Sequence, residues 1–203
     1  MTEPGKGDED TPAALVQGTI RCLQRYGLAG TTSRRIAQES GVNLGGITYH
    51  FGSKDELVTR ALLEAIRTWL EPALTVLRTD QHPIPRMIAA IQALEESFEK
   101  ARDMLPVYLE AMVMASRDDS LGQAVRATFA ELRAFLTDQT EELRATGFLP
   151  AWVDPGAMAL LLIAAADGIA LHAALDPGSV DHRAVASQAM QLLLAASSRG
   201  TPS

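Results

Sequence analysis

Side chains suited to phosphate contacts follow two adjacent glycines in the segment GVNLGGITYHFGSKDEL, residues 41–57. Tyr49 contributes a hydroxyl group, His50 an imidazole and Lys54 an ammonium group. Tyrosine hydroxyls and lysine ammonium groups are common partners of phosphate oxygens. A helix that begins near Ser53 would add free backbone N–H groups, which also attract an anion. The pattern indicates a surface that binds a polyanion.

Motifs for catalysis or metal binding are absent from the sequence. It contains no phosphate-binding glycine loop, no serine elbow, no metal-binding histidine pair and no Cys/His spacing typical of zinc. Adjacent carboxylates such as Asp118–Asp119 and Glu141–Glu142 are expected to be solvated. The single cysteine, Cys22, falls on the apolar face of the first predicted helix, so we expect a small buried hydrophobe. We predict a protein that is not an enzyme and has no cofactor or metal.

The elements that position these side chains are predicted to be helices. Hydrophobic residues make up 47% of the 203 residues and aromatic residues only 5%, with no alternating run typical of a strand. Glycine, proline and aspartate divide the chain into about nine helices, with stops at Gly27, Gly41 and Gly147 and a capping box from Ser53 to Glu56. The predicted helices are 11–26, 32–40, the short helix with the two glycines, 53–78 through Pro72, 84–100, 104–117, 120–146, 154–175 and 181–198.

Charge is distributed unevenly along the chain, which has a net charge of −7. Residues 1–10 are acidic and polar, so we expect a disordered arm and a cytoplasmic protein, since this is the reverse of a signal peptide. Residues 11–60 carry six basic and three acidic side chains. A locally positive segment on an acidic chain is a plausible footprint for a polyanion.

Two short helices joined at Gly41 are typical of a helix-turn-helix. We expect Ala37, a small residue, to let the two helices cross closely. Each glycine inside a helix costs about 0.5–1 kcal/mol relative to alanine. We interpret Gly45 and Gly46 as removing side chains that would hold the second helix away from the bases of the major groove, with Ile47 packing that helix in place.

The segment TTSRRIAQESGVNLGGITYHFGSKDEL resembles the signature of the TetR-family transcriptional regulators, T-x-x-x-I-A-x-x-x-G-V followed by aromatic-H-F-x-S-K-x-x-L. The resemblance covers residues 28–57. It implies a homodimer with an N-terminal DNA-binding domain and a larger helical domain that pairs and holds a small molecule. The DNA contacts carried over by the resemblance are Thr32, Ser33, Arg34, Leu44, Gly45, Gly46, Thr48, Tyr49, His50 and Lys54.

One position departs from the family pattern, because Thr48 stands where the family usually has an aromatic residue before Tyr49. Thr48 can contact a phosphate or a thymine methyl group. The second helix then offers few polar groups to base edges, so we expect Arg34 and Asn43 to be direct readers, supplemented by DNA shape. His50 could equally be a structural cap.

The apolar run of residues 157–175 is interrupted only by Asp167 and His172. A membrane span needs about 20 apolar residues, but an acid at mid-length and many alanines favour a core or interface helix with both faces covered. We expect this helix and 181–198 to pair with their symmetry mates in a four-helix bundle.

A mainly apolar ligand is expected in the C-terminal part, where aromatic residues and methionines accompany alanine-rich helices. For each of these side chains, core packing is an open alternative to pocket lining. The candidate pocket residues are Trp69, Phe98, Met104, Tyr108, Met112 and Trp152.

The sequence therefore predicts an all-α protein with an N-terminal three-helix helix-turn-helix domain and a larger helical bundle for ligand binding and dimerisation. We divide the chain into an arm (1–10), a DNA-binding domain (11–54), a helical domain (55–198) and a flexible tail (199–203). The predicted function is a dimeric regulator, expected to be a repressor released from a palindromic operator by its ligand. The alternative is a helical dimeric interaction protein whose DNA-binding domain does not respond to a ligand.

Overall fold

The computed structural model describes residues 10–79, 82–116, 119–176, 178, 180–181 and seven positions between 184 and 195. The described residues form helices and no strand, which confirms the all-α prediction. A 3₁₀ turn, Arg102–Met104, precedes the sixth α-helix. The helices are α1 (Asp10–Gly30), α2 (Ser33–Ser40), α3 (Leu44–Phe51), α4 (Lys54–Leu77), α5 (Pro83–Lys100), α6 (Leu105–Ala115), α7 (Asp119–Ala145) and α8 (Pro155–Leu175).

The predicted final helix, 181–198, lies largely outside the described residues. The positions described between 184 and 195 are helical. The backbone N–H of Ala184 donates to the Asp181 carboxylate at 2.9 Å, which is the contact of an N-cap residue. The predicted arm (1–10) and tail (199–203) also lie outside the described residues, except for Asp10 at the start of α1.

The first helix breaks at Gly27, as predicted, but resumes and ends at Gly30. Gly27 has φ 66° and ψ −178°, a backbone conformation open essentially to glycine alone. The backbone N–H of the next residue, Leu28, donates to the Glu110 carboxylate of α6 at 3.3 Å. A side chain distant in sequence therefore satisfies a donor that the break leaves without a helical partner.

The ends of α2, α3 and α4 are fixed by the residues that the sequence marks as caps. The Thr32 hydroxyl accepts from the Arg35 N–H, and Gly41 ends α2 with a left-handed φ of 72°. The Ser53 hydroxyl accepts from the Glu56 N–H at 3.1 Å. From there α4 continues through Pro72 to Leu77.

The chain divides into two compact units. The N-terminal unit comprises the described residues up to Thr68 together with Pro106–Val125, and the C-terminal unit comprises Trp69–Leu105 and the described residues from Arg126 onward. The boundary predicted between residues 54 and 55 separates DNA binding from ligand binding and dimerisation, and it stays a prediction. Side chains fully buried in the N-terminal unit include Leu15, Leu23, Ile36 and Leu57.

A buried cation in the C-terminal unit links α5 to α7. The side chain of Arg86 on α5 is 8% exposed, and its Nη2 lies 2.8 Å from the Glu142 carboxylate of α7. Its Nη1 donates to the carbonyl of Thr79. The neighbouring Glu141 pairs with Arg144 at 2.7 Å. Glu141 and Glu142 are exposed to solvent, as predicted, and each also has a cationic partner.

The apolar helix α8 is covered on one side only. Ala159, Ile163, Ala170 and Ala173 are buried. The expectation that both faces are covered includes pairing with a second copy and stays a prediction, since the described residues of one chain cover one face. The exposed leucines of α8 are Leu160, Leu161, Leu162, Leu171 and Leu175.

Candidate nucleic-acid interface

The position of α2 depends on a close approach that the sequence did not reveal. A Cβ atom at Gly18 on α1 would lie 2.6 Å from the Cβ of Ser40 and 2.8 Å from its backbone N. Such distances essentially exclude any side chain at position 18. The small residue that lets α1 and α2 approach is therefore Gly18, while the crossing of α2 and α3 at Ala37 is a separate contact and stays a prediction.

The third helix is held by Ile47, which is 3% exposed, and by Gly46. A Cβ atom at Gly46 would lie 2.7 Å from Cγ1 of Val42, within the protein itself. Gly46 therefore faces the helix-turn-helix interior, and the interpretation that it clears the DNA side is wrong. Gly45 is exposed, and a Cβ atom there would meet only the Asn43 carbonyl oxygen, at 3.2 Å.

The outer face of α3 presents one continuous set of exposed side chains. Leu44 is 50% exposed, Tyr49 is 81% exposed, and Thr48 is exposed between them. The rings of Tyr49 and His50 meet edge to face, with centroids 4.7 Å apart. A depression of about 480 Å³ adjoins this face; its lining residues are Thr11, Gly41, Val42, Asn43, Gly45, Gly46, Tyr49 and His50.

Asn43 has a structural role besides its predicted contact with bases. Its side-chain oxygen accepts from the Gly46 N–H at 3.0 Å and caps α3. The direct reading of bases by Asn43 stays a prediction. Thr32 is similarly occupied as the cap of α2, while Ser33 is half-buried and Arg34 is exposed.

Several of the basic residues expected to form the cationic footprint are engaged within the protein. Arg21 and Arg25 both pair with the Glu39 carboxylate. Arg35 donates to the Gly30 carbonyl at 2.6 Å and stacks over Tyr26. Three of the six basic side chains of residues 11–60 are therefore held by internal contacts, although the net +3 of the segment already counts Glu39.

The remaining cations are Arg34, Lys54 and Arg60. Lys54 lies at the start of α4, and its Nζ is 3.1 Å from the exposed carboxylate of Asp55. Arg34 and Arg60 are exposed and form no hydrogen bond or ion pair with other described residues. Arg34 can therefore contact a ligand without breaking a hydrogen bond or an ion pair to another described residue.

Neither metal chemistry nor a reactive thiol is indicated near this surface. The described residues contain no group of three or more side chains that could hold a metal ion. Burial raises the pKa of the Cys22 thiol above its ordinary value, and the nearby Glu39 carboxylate raises that pKa further. A fully buried thiol with a raised pKa behaves as a core hydrophobe, as the sequence predicted.

Known families match both parts of the chain. Residues 15–61 match "Bacterial regulatory proteins, tetR family", and residues 83–196 match "BetI-type transcriptional repressor, C-terminal". The second match alone covers more than half of the chain. The chain belongs to the TetR family.

Relatives and solved structures agree with this assignment. The TetR-family chain is 25% identical over 187 residues to the HTH-type transcriptional regulator BetI of Burkholderia cenocepacia, covering 90% of this chain and 93% of that one. A TetR transcription regulator from Haloarcula marismortui has a TM-score of 0.79 at 21% identity, covering 93% and 98% of the two chains. A protein from Saccharomonospora viridis, solved in complex with choline, has a TM-score of 0.76 at 16% identity, covering 93% and 97%.

The TetR family and these relatives are DNA-binding transcriptional regulators and not enzymes. In a helix-turn-helix the second helix lies in the major groove, with its N-terminal residues at the base edges. For this TetR-family chain that helix is α3. Its exposed face therefore belongs to a DNA-binding regulator.

The six candidate pocket residues of this TetR-family regulator are distributed over both units. Tyr108 is buried and Met112 half-buried in the N-terminal unit. Trp69 and Met104 are half-buried in the C-terminal unit, where Trp152 is 78% exposed. Trp152 is thus not part of the packed interior of this chain. The side chain of Phe98 lies outside those described, and the ligand pocket stays a prediction.

Proposed function

We propose that this TetR-family protein is a dimeric repressor that binds a palindromic operator in the cytoplasm and is released by a small molecule. The observation that carries the DNA-binding part is the exposed face of α3, on which Leu44, Thr48 and Tyr49 share a solvent-facing surface. Tyr49 and Lys54 are assigned to phosphates, and Arg34 to base edges.

Dimerisation is supported by α8. Its exposed leucines and alanines form an apolar surface that one chain leaves open. By length and composition α8 could also cross a membrane, since its mean hydropathy is 2.0 and 22% of the segment is buried. Gly168 on this helix has open space where a Cβ would project. Small and apolar side chains along one helix suit pairing with a second copy. A two-fold dimer would read half-sites one DNA turn, or a multiple of it, apart.

Ligand response is supported by the match to a BetI-type C-terminal domain and by the fold shared with a protein solved with choline. The chain carries a net charge of −7, which favours a neutral or cationic ligand over an anion. We assign a mainly apolar site in the helical domain, for which Trp69 and Met104 are the half-buried candidates of the C-terminal unit.

Release would be a shift between two populations of the dimer. Helix α4 begins beside the helix-turn-helix and continues across the boundary between the two compact units. A ligand that favours a different arrangement of α4 would change the spacing of the two recognition helices. A preference of about 1.4 kcal/mol for the released form lowers operator affinity tenfold.

Selection of bound duplexes from a random DNA pool tests the DNA-binding proposal. We expect an enriched two-fold sequence whose half-sites are separated by about one helical turn or a multiple of it. The Tyr49→Ala variant serves as the control and should enrich the same sequence poorly. Enrichment of no sequence by the intact protein would contradict the proposal.

Calorimetry tests ligand response, with choline as the first probe because a protein of the same fold was solved with it. Coupling between two sites is reciprocal, so saturating operator should weaken choline binding by the factor by which choline weakens operator binding. Equal affinity for the probe with and without operator would exclude choline as the inducer. Absence of response to choline and to a panel of apolar amines would favour the alternative of a regulator that does not respond to a ligand.

A further inference from the structure

We propose that Leu44 and Thr48 recognise thymine methyl groups in the major groove, so that methyl contacts specify the operator half-site together with the base contacts assigned to Arg34. This inference rests on the proposed function and deepens it, because it names the chemical group that α3 reads. Leu44 is the first residue of α3, and the N-terminal residues of a recognition helix are those that reach base edges.

The exposure of Leu44 is the primary observation. Its side chain is 50% exposed although it begins a helix with a well-packed inner face. Position 48 follows four residues later and therefore lies on the same face, one turn along the helix. Gly45 places no side chain between them and the DNA. The outer face of α3 therefore presents an isobutyl group and, one turn away, the methyl and hydroxyl groups of Thr48.

Hydrogen-bonding alternatives on α3 are limited. The Asn43 oxygen accepts from the Gly46 N–H at 3.0 Å, so this side chain already serves as the cap of α3. Gly46 and Ile47 face the protein interior. An apolar side chain at a base edge has one favourable partner in the major groove, the C5 methyl group of thymine.

Uracil substitution tests this inference directly, since it removes the methyl group and leaves all hydrogen-bonding atoms of the base unchanged. The operator obtained by selection is prepared with single thymines replaced by deoxyuridine, and affinities are measured by fluorescence anisotropy. At the thymines facing Leu44 and Thr48 we expect affinity to fall about fourfold for each buried methyl group. Substitution in both half-sites should lower it roughly 15-fold, because the two sites are distant and independent.

Two variants assign the methyl contacts to side chains. Leu44→Ala should weaken binding to the thymine operator and abolish discrimination against uracil at one position. Thr48→Ser, which removes a methyl group and keeps the hydroxyl, should do the same at the second position. Tyr49→Phe is the matched control, because loss of a phosphate contact should weaken both operators equally and leave the thymine-to-uracil ratio unchanged.

The outcomes separate this inference from the proposed function. Specific binding with equal affinity for thymine and uracil at every position of the half-site would overturn the inference and leave the proposed function intact. A selected half-site without any invariant thymine would overturn it as well. Failure of the intact protein to select any sequence would instead contradict the proposed function, on which the inference depends.

Discussion

Gly46 and Val42 pack so closely that a Cβ atom at position 46 would lie 2.7 Å from the Cγ1 atom of the valine. The two residues bracket the N-terminus of α3, and Val42 is half-buried with restricted rotamers. The contact fixes how near α3 can lie to the turn that precedes it. The adjacent Gly45 is in a different situation, since only the end of the Asn43 side chain lies near it.

Gly46→Ala is expected to destabilise the protein by about 1–3 kcal/mol, because the added methyl group must displace Val42 from a packed position. Gly45→Ala is the matched control: the gain in helix propensity, up to about 1 kcal/mol, offsets the pressure on Asn43. Urea denaturation followed by circular dichroism gives both values. Equal stability of the two variants would show that the Val42 contact does not constrain position 46.

Gly27→Ala is expected to cost about 1–3 kcal/mol of unfolding free energy, since φ 66° with ψ −178° is strained for any residue with a Cβ. Gly156→Ala in the first turn of α8 is the control, because a Cβ there meets only the Asp154 carboxylate at an ordinary 3.5 Å. That variant should be unchanged or slightly more stable in the same urea titration. A fully stable Gly27→Ala variant would mean that α1 continues without a break.

Lys54→Ala is expected to weaken binding equally on operator and scrambled duplexes and to lower the salt slope by about one unit for each half-site. Lys54 pairs with the exposed Asp55, a contact that a phosphate can replace. Arg34→Ala should instead reduce discrimination between the two duplexes, by about 1–3 kcal/mol. Salt titrations on both duplexes separate these effects. Unchanged affinities for Lys54→Ala would show that the start of α4 does not contact the DNA backbone.

Leu161→Asp is expected to dissociate the dimer, because Leu161 is 64% exposed on the open face of α8. Val113→Asp is the matched control, as an apolar residue of α6 that is 57% exposed. Sedimentation velocity at micromolar concentration should show a dimer for the wild type and for Val113→Asp, and a monomer for Leu161→Asp. A wild-type monomer would contradict the two-fold operator as well.

Features of the fold that depend on local sequence were predictable. Thr32, Gly41 and Ser53 mark helix ends through cap chemistry and left-handed backbone, which act within three or four residues. The contact between Gly18 and Ser40 was not predictable, because it joins residues distant in the sequence. The pairing of Arg21 and Arg25 with Glu39 is of the same kind, so the charge count could not show which basic side chains are held by internal contacts.

The sequence placed the candidate residues on the right helices but not their side-chain directions, and their contacts with DNA stay predictions. The motif locates the face of α3 correctly on the second helix of the helix-turn-helix. It does not distinguish Gly45, which faces outward, from Gly46, which faces Val42. It also does not reveal that the Asn43 oxygen caps α3. Both distinctions depend on which way a residue points once the helix is packed.

The DNA-binding face of α3 is tested most directly by an anisotropy titration of the selected operator with Tyr49→Ala and Trp152→Ala. The two aromatic side chains are matched in exposure, at 81% and 78%, and lie in different units. We predict that Tyr49→Ala lowers operator affinity at least about tenfold, because each half-site loses a hydrogen bond to a charged phosphate. Trp152→Ala should bind within about twofold of the wild type. Wild-type affinity for Tyr49→Ala, or equal losses for both variants, would contradict the assignment of this face to DNA.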